Sequence, residues 1–600
     1  MNLSRILPVA MALGLAACGG GREVLSGGGG GARSALPYGS DTPAASCASG
    51  ENTTGGRAYQ VIIPSRVDEE PISFQVHEPD VIECGSRHAL ILEGHGYSGS
   101  RQTAVGAFAA LTGAGYAVIS IDQRGSPDSG GTVRVMDPDF EGEDLVAIVD
   151  WAEQHLDYLR YRGGNLLLGS IGGSYGGMYQ YLLLNKDPDR RLDAIVPEIA
   201  PHDLTYSLNP NDVIKSYWGL ALAGAGDAGT QFGQDSIIRA TLIEGGTTGK
   251  FPAGALPFFA YHSMRYFCEN PLDLQPDFSG DTAGYLLDPV LQLLPLTADG
   301  AYTVLTPSRR SVPRVDALIW QGPRDDLFNL NEAFRNYQCL KRAGGDVRLL
   351  TYNFGHHFLS PNLGLIEQSL ANLALPLDTQ CGPIDKDAAT LAWFNDKLLG
   401  IGNADEVITT GQDVCFMLDV GDAVSLPQMP VGGEAFPIEL PGGAPVPVVI
   451  ENPVPVVVPL TTAGDGGEVI AGIPTASLTV SRGDAALDEF CQEETDPILR
   501  AGTCDSVVYL GLGVIKLGEI LPLVPELIEE QVIPVRGLGE HEIEMVGVAE
   551  RVAAGDQIVL LVYGLQDAFI VSSSRDVTVP AVFVEGTVRV PLQGPLPSLQ

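Results

Sequence analysis

The sequence predicts an α/β chain with a mostly parallel sheet, a helical insertion and a second, β-rich domain. Strand-like and helix-like segments alternate over residues 51–201, which is the pattern of a parallel sheet with helices on both faces. The alternation stops over 202–312 and returns over 313–400, so the intervening stretch is expected to be an inserted, mainly helical cap. From residue 401 to residue 600 Val, Pro and Gly dominate, which favours a β-sandwich.

Within this frame, apolar runs predict strands and a 3.6-residue periodicity predicts helices. The predicted core strands are 59–64, 72–76, 88–93, 116–121, 166–168, 192–197, 315–320 and, as the last one, 346–352. The predicted core helices are 103–112, 141–159, 178–184, 330–343 and 387–399. In the C-terminal domain, strand-like runs occupy 446–450, 476–480, 507–512, 557–562 and 581–590, and Pro447 restricts the first of them to a sheet edge.

Length and charge limit the classes of protein to which this chain belongs. A chain of 600 residues exceeds what one hydrophobic core supports, and its 45% hydrophobic content is that of globular domains. The net charge of −39 argues against nucleic acid or an anionic membrane as a partner of the folded surface. We therefore expect several globular domains with an acidic surface and no nucleic-acid partner.

The N-terminus has the pattern of a bacterial lipoprotein signal. Arg5 precedes an apolar run, 6–15, that is too short to span a bilayer as a mature helix. The run ends in Leu15-Ala16-Ala17-Cys18, which resembles a lipobox in which Cys18 carries the lipid. A secretory signal with a chance cysteine is the alternative. Residues 1–17 are thus the predicted signal peptide of an exported cell-envelope protein, at the outer membrane or cell surface, facing the periplasm or the exterior.

Residues 18–50 are predicted to be a flexible tether, because they are rich in Gly and Ser and contain the glycine run 27–31. The nine cysteines include Cys18, and the even number that remains indicates disulfides in an exported chain. Cys491 and Cys504 are the expected pair. The connectivity of the others stays open, namely Cys47, Cys84, Cys268, Cys339, Cys381 and Cys415. No cysteine or histidine spacing supports a metal site, so neither metal nor cofactor is expected.

A G-x-S-x-G pentapeptide, Gly172-Gly173-Ser174-Tyr175-Gly176, stands between a predicted strand and a predicted helix. Strand, tight turn and helix are the context of a nucleophile elbow in an α/β-hydrolase. Side chains at Gly172 and Gly176 are expected to collide with the neighbouring strand and helix. Ser174 is therefore the candidate nucleophile, with an ordinary glycine-rich turn as the alternative.

The acid and the histidine of such a site follow a late strand and the last strand of the sheet, in that order after the serine. Asp325 and His356 occupy these places. Because the carboxyl ends of parallel strands share one edge, both are expected to meet Ser174 there. Asp326 and His357 are the adjacent alternates.

An oxyanion hole needs the backbone N–H of the residue after the nucleophile and a second donor from the loop after the third strand. Tyr175 supplies the first. The loop Gly94-His95-Gly96-Tyr97 lies where the second belongs, and Tyr97 offers either its backbone N–H or its hydroxyl. A loop turn without this role is the alternative.

Three motifs resemble those of the Xaa-Pro dipeptidyl-peptidase (S15) and cocaine-esterase-like hydrolases. They are the elbow with Ser174 and Tyr175, the run Asp122-Gln123-Arg124-Gly125, and Gly322-x-x-Asp325-x-Leu327-Phe328. The order of core, cap and C-terminal domain resembles that family too, which implies a jelly-roll-like sandwich for residues 401–600. The resemblance implies an oxyanion role for a tyrosine after the third strand, which is Tyr97 by order.

Two classes of function remain. The first is a serine hydrolase that cleaves an ester or peptide bond of a small substrate through an acyl-enzyme, with Ser174, His356 and Asp325 as its triad. A dipeptidyl-peptidase would also need a cap carboxylate for the substrate amine, and the cap offers Asp203, Asp212, Glu244 and Glu269. The second is a non-catalytic surface-binding or scaffold lipoprotein on a hydrolase fold. In both, the membrane is a partner only through Cys18, and the oligomeric state stays open.

Overall fold

The computed structural model describes residues 55–230, 233–249, 251–252, 255–269, 312–357, 380–484, 486, 488–490, 505–517, 525–572 and 581–599. The signal peptide, the tether, Cys18, Cys47, Cys491 and Cys504 lie outside these residues, so the expectations for them stay predictions. The core is a ten-stranded sheet in the order β1-β2-β4-β3-β7-β8-β9-β10-β11-β12. Its strands, with the separate β5–β6 hairpin, are β1 Ala58–Pro64, β2 Pro71–His77, β3 Leu90–Gly94, β4 Ala117–Ile121, β5 Tyr161–Arg162, β6 Asn165–Leu166, β7 Leu168–Gly173, β8 Leu192–Glu198, β9 Asp316–Gln321, β10 Val347–Thr351, β11 Val414–Asp419 and β12 Asp422–Leu426.

From β4 to β11 along this order, all neighbours are parallel. Only β1, β2 and β12 add antiparallel pairs at the two ends. Side chains of β3 alternate between two hydrophobic clusters, since Leu90 and Leu92 pack in one and Ile91 packs in the other. Both faces of the sheet are therefore covered, as the alternating sequence pattern predicts.

Ten α-helices are described. They are α1 Ala109–Gly113, α2 Glu141–His155, α3 Tyr175–Lys186, α4 Leu204–Leu208, α5 Ser216–Gly229, α6 Ser236–Thr248, α7 Ala255–Tyr261, α8 Met264–Cys268, α9 Leu330–Arg342 and α10 Lys386–Phe394. The prediction of a helix over 103–112 is wrong in its first half. Helix α1 begins at Ala109, because Gly106 adopts φ 83° and interrupts the segment before it.

The core sheet also continues past the strand predicted to be its last. Strand β11 pairs in parallel with β10, and β12 returns antiparallel to β11. The boundary placed at residue 400 therefore falls before two strands that belong to the core sheet. The short apolar runs of β11 and β12 resemble the strands of the C-terminal domain. Only the pairing of β11 with β10 shows that these two strands belong to the core sheet.

Between β8 and β9 the chain forms α4 to α8, so the described part of the insertion is helical, as predicted. A single parallel bridge joins Val133 of the core to Gln234 of this cap. Helices α4 to α8 supply buried apolar side chains such as Leu204, Phe258 and Met264 to the larger core cluster. The cap is thus packed onto the core rather than held by its chain ends alone.

The C-terminal part is built from antiparallel strands. They are β13 Glu434–Ile438, β14 Val446–Val449, β15 Val456–Thr462, β16 Glu468–Gly472, β17 Thr475–Ser481, β18 Val507–Ile515, β19 Glu526–Leu527, β20 Ile533–Arg536, β21 Gly539–Glu544, β22 Val548–Val552, β23 Gln557–Tyr563 and β24 Ala581–Val590. Two five-stranded sheets, β13-β24-β17-β21 with β14 on β24 and β15-β23-β18-β19 with β20 on β18, share one hydrophobic cluster. The β-sandwich predicted from composition is therefore confirmed, and β14, which contains Pro447, pairs with β24 beside β13.

Disulfides join distant segments. Cys268 at the end of α8 is bonded to Cys339 in α9, and Cys381 is bonded to Cys415 in β11. Cys84 is also disulfide-bonded. In the described ranges, no helix is long and apolar enough to cross a membrane, and no group of three His, Cys, Asp or Glu side chains is arranged to hold a metal ion.

The bond between Cys268 and Cys339 closes a separation of 71 residues and ties the end of the cap to the core. We expect the double variant Cys268→Ala/Cys339→Ala to lose about 2–4 kcal/mol of unfolding free energy, because the unfolded chain regains loop entropy. Denaturant unfolding measures this loss. The pair Cys381→Ala/Cys415→Ala is the control with the shorter separation of 34 residues and a smaller expected loss; equal stability of wild type and the first variant would contradict the prediction.

Candidate active site

Ser174 stands at the turn between β7 and α3, with φ 58° and ψ −121°. A positive φ is unfavourable for a residue with a side chain, and such strain is concentrated at functional sites. The turn is held because the Ser174 N–H donates to the carbonyl oxygen of Glu198 in β8, at 2.9 Å. The local sequence thus folds as a sharp strand-to-helix elbow.

The glycines of the elbow are required by contact with the end of β3. A Cβ at Gly176 would lie 1.9 Å from the carbonyl oxygen of Gly94, and one at Gly172 would lie 2.5 Å from the same atom. Gly172 also adopts φ 146°. The predicted steric role of both glycines is confirmed, and the obstructing atoms belong to the backbone.

The structure brings Ser174, His356 and Asp325 into one hydrogen-bonded chain. His356 Nε2 lies 2.8 Å from Ser174 Oγ, and His356 Nδ1 lies 2.7 Å from Asp325 Oδ2. A carboxylate only accepts hydrogen bonds, so Nδ1 carries the ring proton and Nε2 is the acceptor for the serine proton. The arrangement can therefore move a proton from the serine to the imidazole.

Asp325 is 0% exposed and is surrounded by donors. Its Oδ1 accepts from the N–H groups of Leu327 and Phe328, at 3.0 and 2.6 Å, and its Oδ2 also accepts from the His356 N–H at 3.0 Å. Hydrogen bonds to a buried carboxylate stabilise its charge and fix its orientation. The loop that carries Asp325 thus holds the acid as a fixed acceptor.

Glycines permit the acid and histidine loops to approach each other. A Cβ at Gly322 would lie 1.7 Å from the carbonyl oxygen of Phe354, and one at Gly355 would lie 2.9 Å from the Asp325 Cβ. Both loops follow neighbouring parallel strands, β9 and β10. The close approach of the two loops therefore depends on glycine at both positions.

The two alternates are placed elsewhere. The Asp326 carboxylate accepts from Gln531 of the C-terminal part, at 3.2 Å, while its backbone N–H donates to the His356 carbonyl oxygen. The His357 ring contacts the Arg324 carbonyl oxygen at 3.1 Å. Neither side chain joins the chain of hydrogen bonds that ends at Ser174.

Two aromatic rings contact the His356 imidazole, and no pattern in the sequence predicts either contact. Phe328 and Trp218 meet its ring edge to face, with centroids 5.1 and 6.0 Å away. Phe328 follows Asp325 within a motif already singled out. Trp218 comes from helix α5 of the cap, and no sequence signal relates it to the histidine.

A buried lysine of the cap supports the acid loop. Lys215 Nζ donates to the carbonyl oxygens of Asp326 and Leu327, at 2.6 and 3.2 Å. Burial lowers the pKa of Lys215 to about 8, against the opposing attraction of the carboxylates of Asp326, Asp325 and Glu332. The sequence does not predict this contact either, because cap residues carry no spacing that relates them to the core loops.

The first oxyanion candidate, Tyr175, is the first residue of α3. Residues at this position leave their backbone N–H without an intrahelical acceptor. The Tyr175 hydroxyl accepts from the Met136 N–H at 3.3 Å, and burial raises its pKa. Helix α3 thus presents its N-terminus beside Ser174, where negative charge is favoured.

The second candidate, Tyr97, packs edge to face on Tyr175, with ring centroids 5.4 Å apart. Its hydroxyl donates to Gln234 Oε1 of the cap at 2.8 Å. The loop before Tyr97 is held by His95, whose Nδ1 donates to the Gly96 carbonyl oxygen at 2.8 Å and whose Nε2 accepts from the Gln123 N–H at 3.1 Å. Burial lowers the pKa of His95, which keeps the ring neutral as these bonds require.

The parallel sheet, the strained serine at the elbow and the acid and histidine after β9 and β10 define an α/β-hydrolase fold. A sequence profile of the X-Pro dipeptidyl-peptidase (S15) family matches residues 35–236, which include Tyr97, Ser174 and Tyr175. The resemblance inferred from the motifs is confirmed for residues 35–236, which match this family.

Individual relatives are distant or partial. Two Escherichia coli proteins, both described as a 31.7 kDa protein of the traX-finO intergenic region, are 31% identical over 132 residues, which is 22% of this chain and 41% of theirs. An α-amino acid ester hydrolase superposes with a TM-score of 0.51 at 14% identity, covering 92% of this chain and 100% of its own, and shows the same fold. A CocE/NonD family hydrolase from Staphylococcus aureus has a TM-score of 0.47 at 13% identity, with coverages of 89% and 94%.

Gly176→Ala tests the contact between the elbow and β3. We expect it to destabilise the protein by about 1–3 kcal/mol or more, since the added Cβ overlaps a backbone oxygen that cannot rotate away. Thermal unfolding and the yield of soluble protein measure the effect. Gly224→Ala is the control, because a Cβ there meets nothing within 4 Å and Ala is the better helix former. Equal stability of the two variants would show that the contact between Gly176 and β3 does not require glycine.

Proposed function

We propose that the chain is a serine hydrolase that cleaves an ester or peptide bond through an acyl-enzyme. The observation that supports this proposal is the continuous hydrogen-bonded chain from Ser174 Oγ through His356 to the buried Asp325 carboxylate. It lies at the carboxyl edge of the sheet, beside the N-terminus of helix α3. These are the positions that acyl transfer requires of a nucleophile, a base and an orienting acid.

In the proposed reaction, Ser174 Oγ attacks the carbonyl carbon of the substrate while His356 Nε2 takes its proton. Asp325 stays ionised, holds Nδ1–H and stabilises the imidazolium. The N–H of Tyr175 and a donor from the loop of Tyr97 stabilise the oxyanion. His356 then protonates the leaving group, and a water molecule hydrolyses the acyl-enzyme by the same proton transfers in reverse order.

Two of the cap carboxylates that could hold a free substrate amine are already paired with an arginine. Arg265 pairs with Asp203 through Nη1 at 2.8 Å and with Glu269 through Nε at 2.7 Å. A free substrate amine would have to compete with Arg265 for either carboxylate. This pairing argues against the recognition of a free substrate amine by these two carboxylates.

Ser174→Ala and Asp325→Asn are expected to lower kcat by at least about 10⁴-fold, because the nucleophile or the correct imidazole tautomer is lost. A short-chain nitrophenyl ester, Gly-Pro-nitroanilide and a fluorophosphonate probe serve as substrates and label. Asp326→Asn is the matched control and is expected to retain activity within a few-fold. A wild type that neither reacts with the probe nor turns over either substrate would instead favour the scaffold alternative.

We also propose that Cys18 carries a lipid that anchors the protein in the cell envelope, on the lipobox-like sequence alone. Cys18→Ser is expected to release the protein from the membrane fraction, because the acyl chains that anchor it cannot be attached. Fractionation of cells that express the full chain measures the change. Unchanged membrane association of the variant would rule out this anchor, and Ser174→Ala serves as the control that leaves anchoring intact.

A further inference from the structure

Lys215 of the cap contacts two peptide units of the loop that carries Asp325. Its ammonium donates to the carbonyl oxygens of Asp326 and Leu327, at 2.6 and 3.2 Å. The N–H group of the first peptide unit belongs to Leu327, and that of the second belongs to Phe328. Both N–H groups donate to Asp325 Oδ1, at 3.0 and 2.6 Å. Each peptide unit therefore lies between the ammonium and the carboxylate.

The two peptide units connect the charge of Lys215 to the carboxylate of Asp325. A hydrogen bond to a peptide carbonyl oxygen polarises that peptide and makes its N–H group a stronger donor in turn. A charged donor forms the stronger bond and therefore polarises the peptide more. Because both N–H groups reach the same carboxylate oxygen, the ammonium stabilises the ionised acid and fixes its orientation through the backbone.

Lys215 is buried, charged and fixed in position. It is 6% exposed, and its backbone N–H donates to the Leu208 carbonyl oxygen at 2.8 Å. Burial lowers its pKa to about 8, against the opposing attraction of the carboxylates of Asp326, Asp325 and Glu332. The side chain is therefore mainly an ammonium at pH 7, and its position is set by the cap backbone.

Glu332 of the core holds the segment of the cap that leads to Lys215. Its Oε2 accepts from the N–H groups of His202 and Asp203, at 2.7 and 2.8 Å, and from the Ser207 hydroxyl at 2.7 Å. Glu332 lies in the first turn of α9, directly after the loop that carries the acid. The cap is therefore bonded to this region twice, once as a donor to Glu332 and once through Lys215.

We propose that Lys215 is a positioning residue for Asp325, which it holds from the cap through two peptide units of the core. The inference rests on the proposed function and adds to it a requirement for a docked cap. The acid is held correctly only while the cap lies on the core, because the ammonium that fixes its loop belongs to the cap. Lys215 acts on the reaction through Asp325 rather than on the substrate.

A double-mutant cycle with Lys215→Met and Asp325→Asn tests whether the lysine acts through the acid. Methionine has a similar length but neither donor nor charge, so Lys215→Met is expected to lower kcat on the nitrophenyl ester and the rate of fluorophosphonate labelling by about 10–100-fold. KM is expected to stay within about two-fold. In the Asp325→Asn background the same change is expected to alter the labelling rate by less than about two-fold, since the carboxylate that the lysine supports is gone.

Lys397→Met is the matched control. The Lys397 side chain is 17% exposed and pairs with Asp346 at 2.9 Å. Asp346 precedes β10, whereas His356 follows it, so the control removes an ion pair at the opposite end of this strand. It is expected to leave kcat and labelling unchanged. Thermal unfolding of both variants separates an effect on the triad from a loss of folded protein.

Raising the pH neutralises Lys215 without a substitution, so it tests the inference even if Lys215→Met fails to fold. Wild-type kcat is expected to fall as the pH rises through about 8, because the ammonium is lost. Lys215→Arg stays charged over this range and is expected to lack the step. Burial raises the pKa of Glu332 to about 7, but its ionisation favours the ammonium and therefore has the opposite sign.

Two results would overturn the inference and leave the proposed function intact. Independent effects of Lys215→Met and Asp325→Asn would show that the lysine only packs the cap. A wild-type kcat that stays level as the pH rises through about 8 would show that the charge of the lysine is not used. A wild type that fails to react with the fluorophosphonate probe would instead sink the proposed function.

Discussion

The close approach of the elbow to the end of β3 is the contact on which the site depends. A Cβ at Gly176 would lie only 1.9 Å from the carbonyl oxygen of Gly94. The start of α3 therefore packs directly on the backbone at the end of β3. This contact turns the chain sharply enough to leave Ser174 with a positive φ at the tip. Helix α3 then begins directly after Ser174, and the positive end of its dipole lies beside the serine.

Three parts of the chain support the acid and the histidine once the elbow is set. The core supplies Asp325 and His356 on loops that meet through glycines. The cap adds Lys215 below the acid loop and Trp218 against the imidazole. The C-terminal part reaches the same loop, where Glu529 pairs with Arg324 at 3.0 Å and Gln531 contacts Asp326. A change in the packing of the cap or of the C-terminal part therefore alters the contacts of the loop that carries Asp325.

The β-rich part and the core are less separate than composition suggests. Apolar runs of five or six residues with Val and Phe form strands in both, so residues 414–426 carried no signal that they belong to the parallel sheet. Which sheet such a strand joins depends on which sheet edge it can pair with. In this chain β11 pairs with the edge strand β10 of the parallel sheet. Cys415 in β11 is bonded to Cys381, which links this outer strand to the segment before α10.

The sequence by itself determined the alternation of strands and helices in the core, the helical nature of the cap, and Ser174 at the elbow with an acid and a histidine in the two loops that reach it. Each follows from local periodicity or from a motif whose glycines are dictated by nearby backbone. Only the tertiary structure decided that Asp325 rather than Asp326 meets His356, that Trp218 and Lys215 of the cap reach the site, and that Gln234 accepts a hydrogen bond from the Tyr97 hydroxyl. These contacts join residues far apart in the chain, and no local pattern encodes them, because they arise when the cap docks on the core.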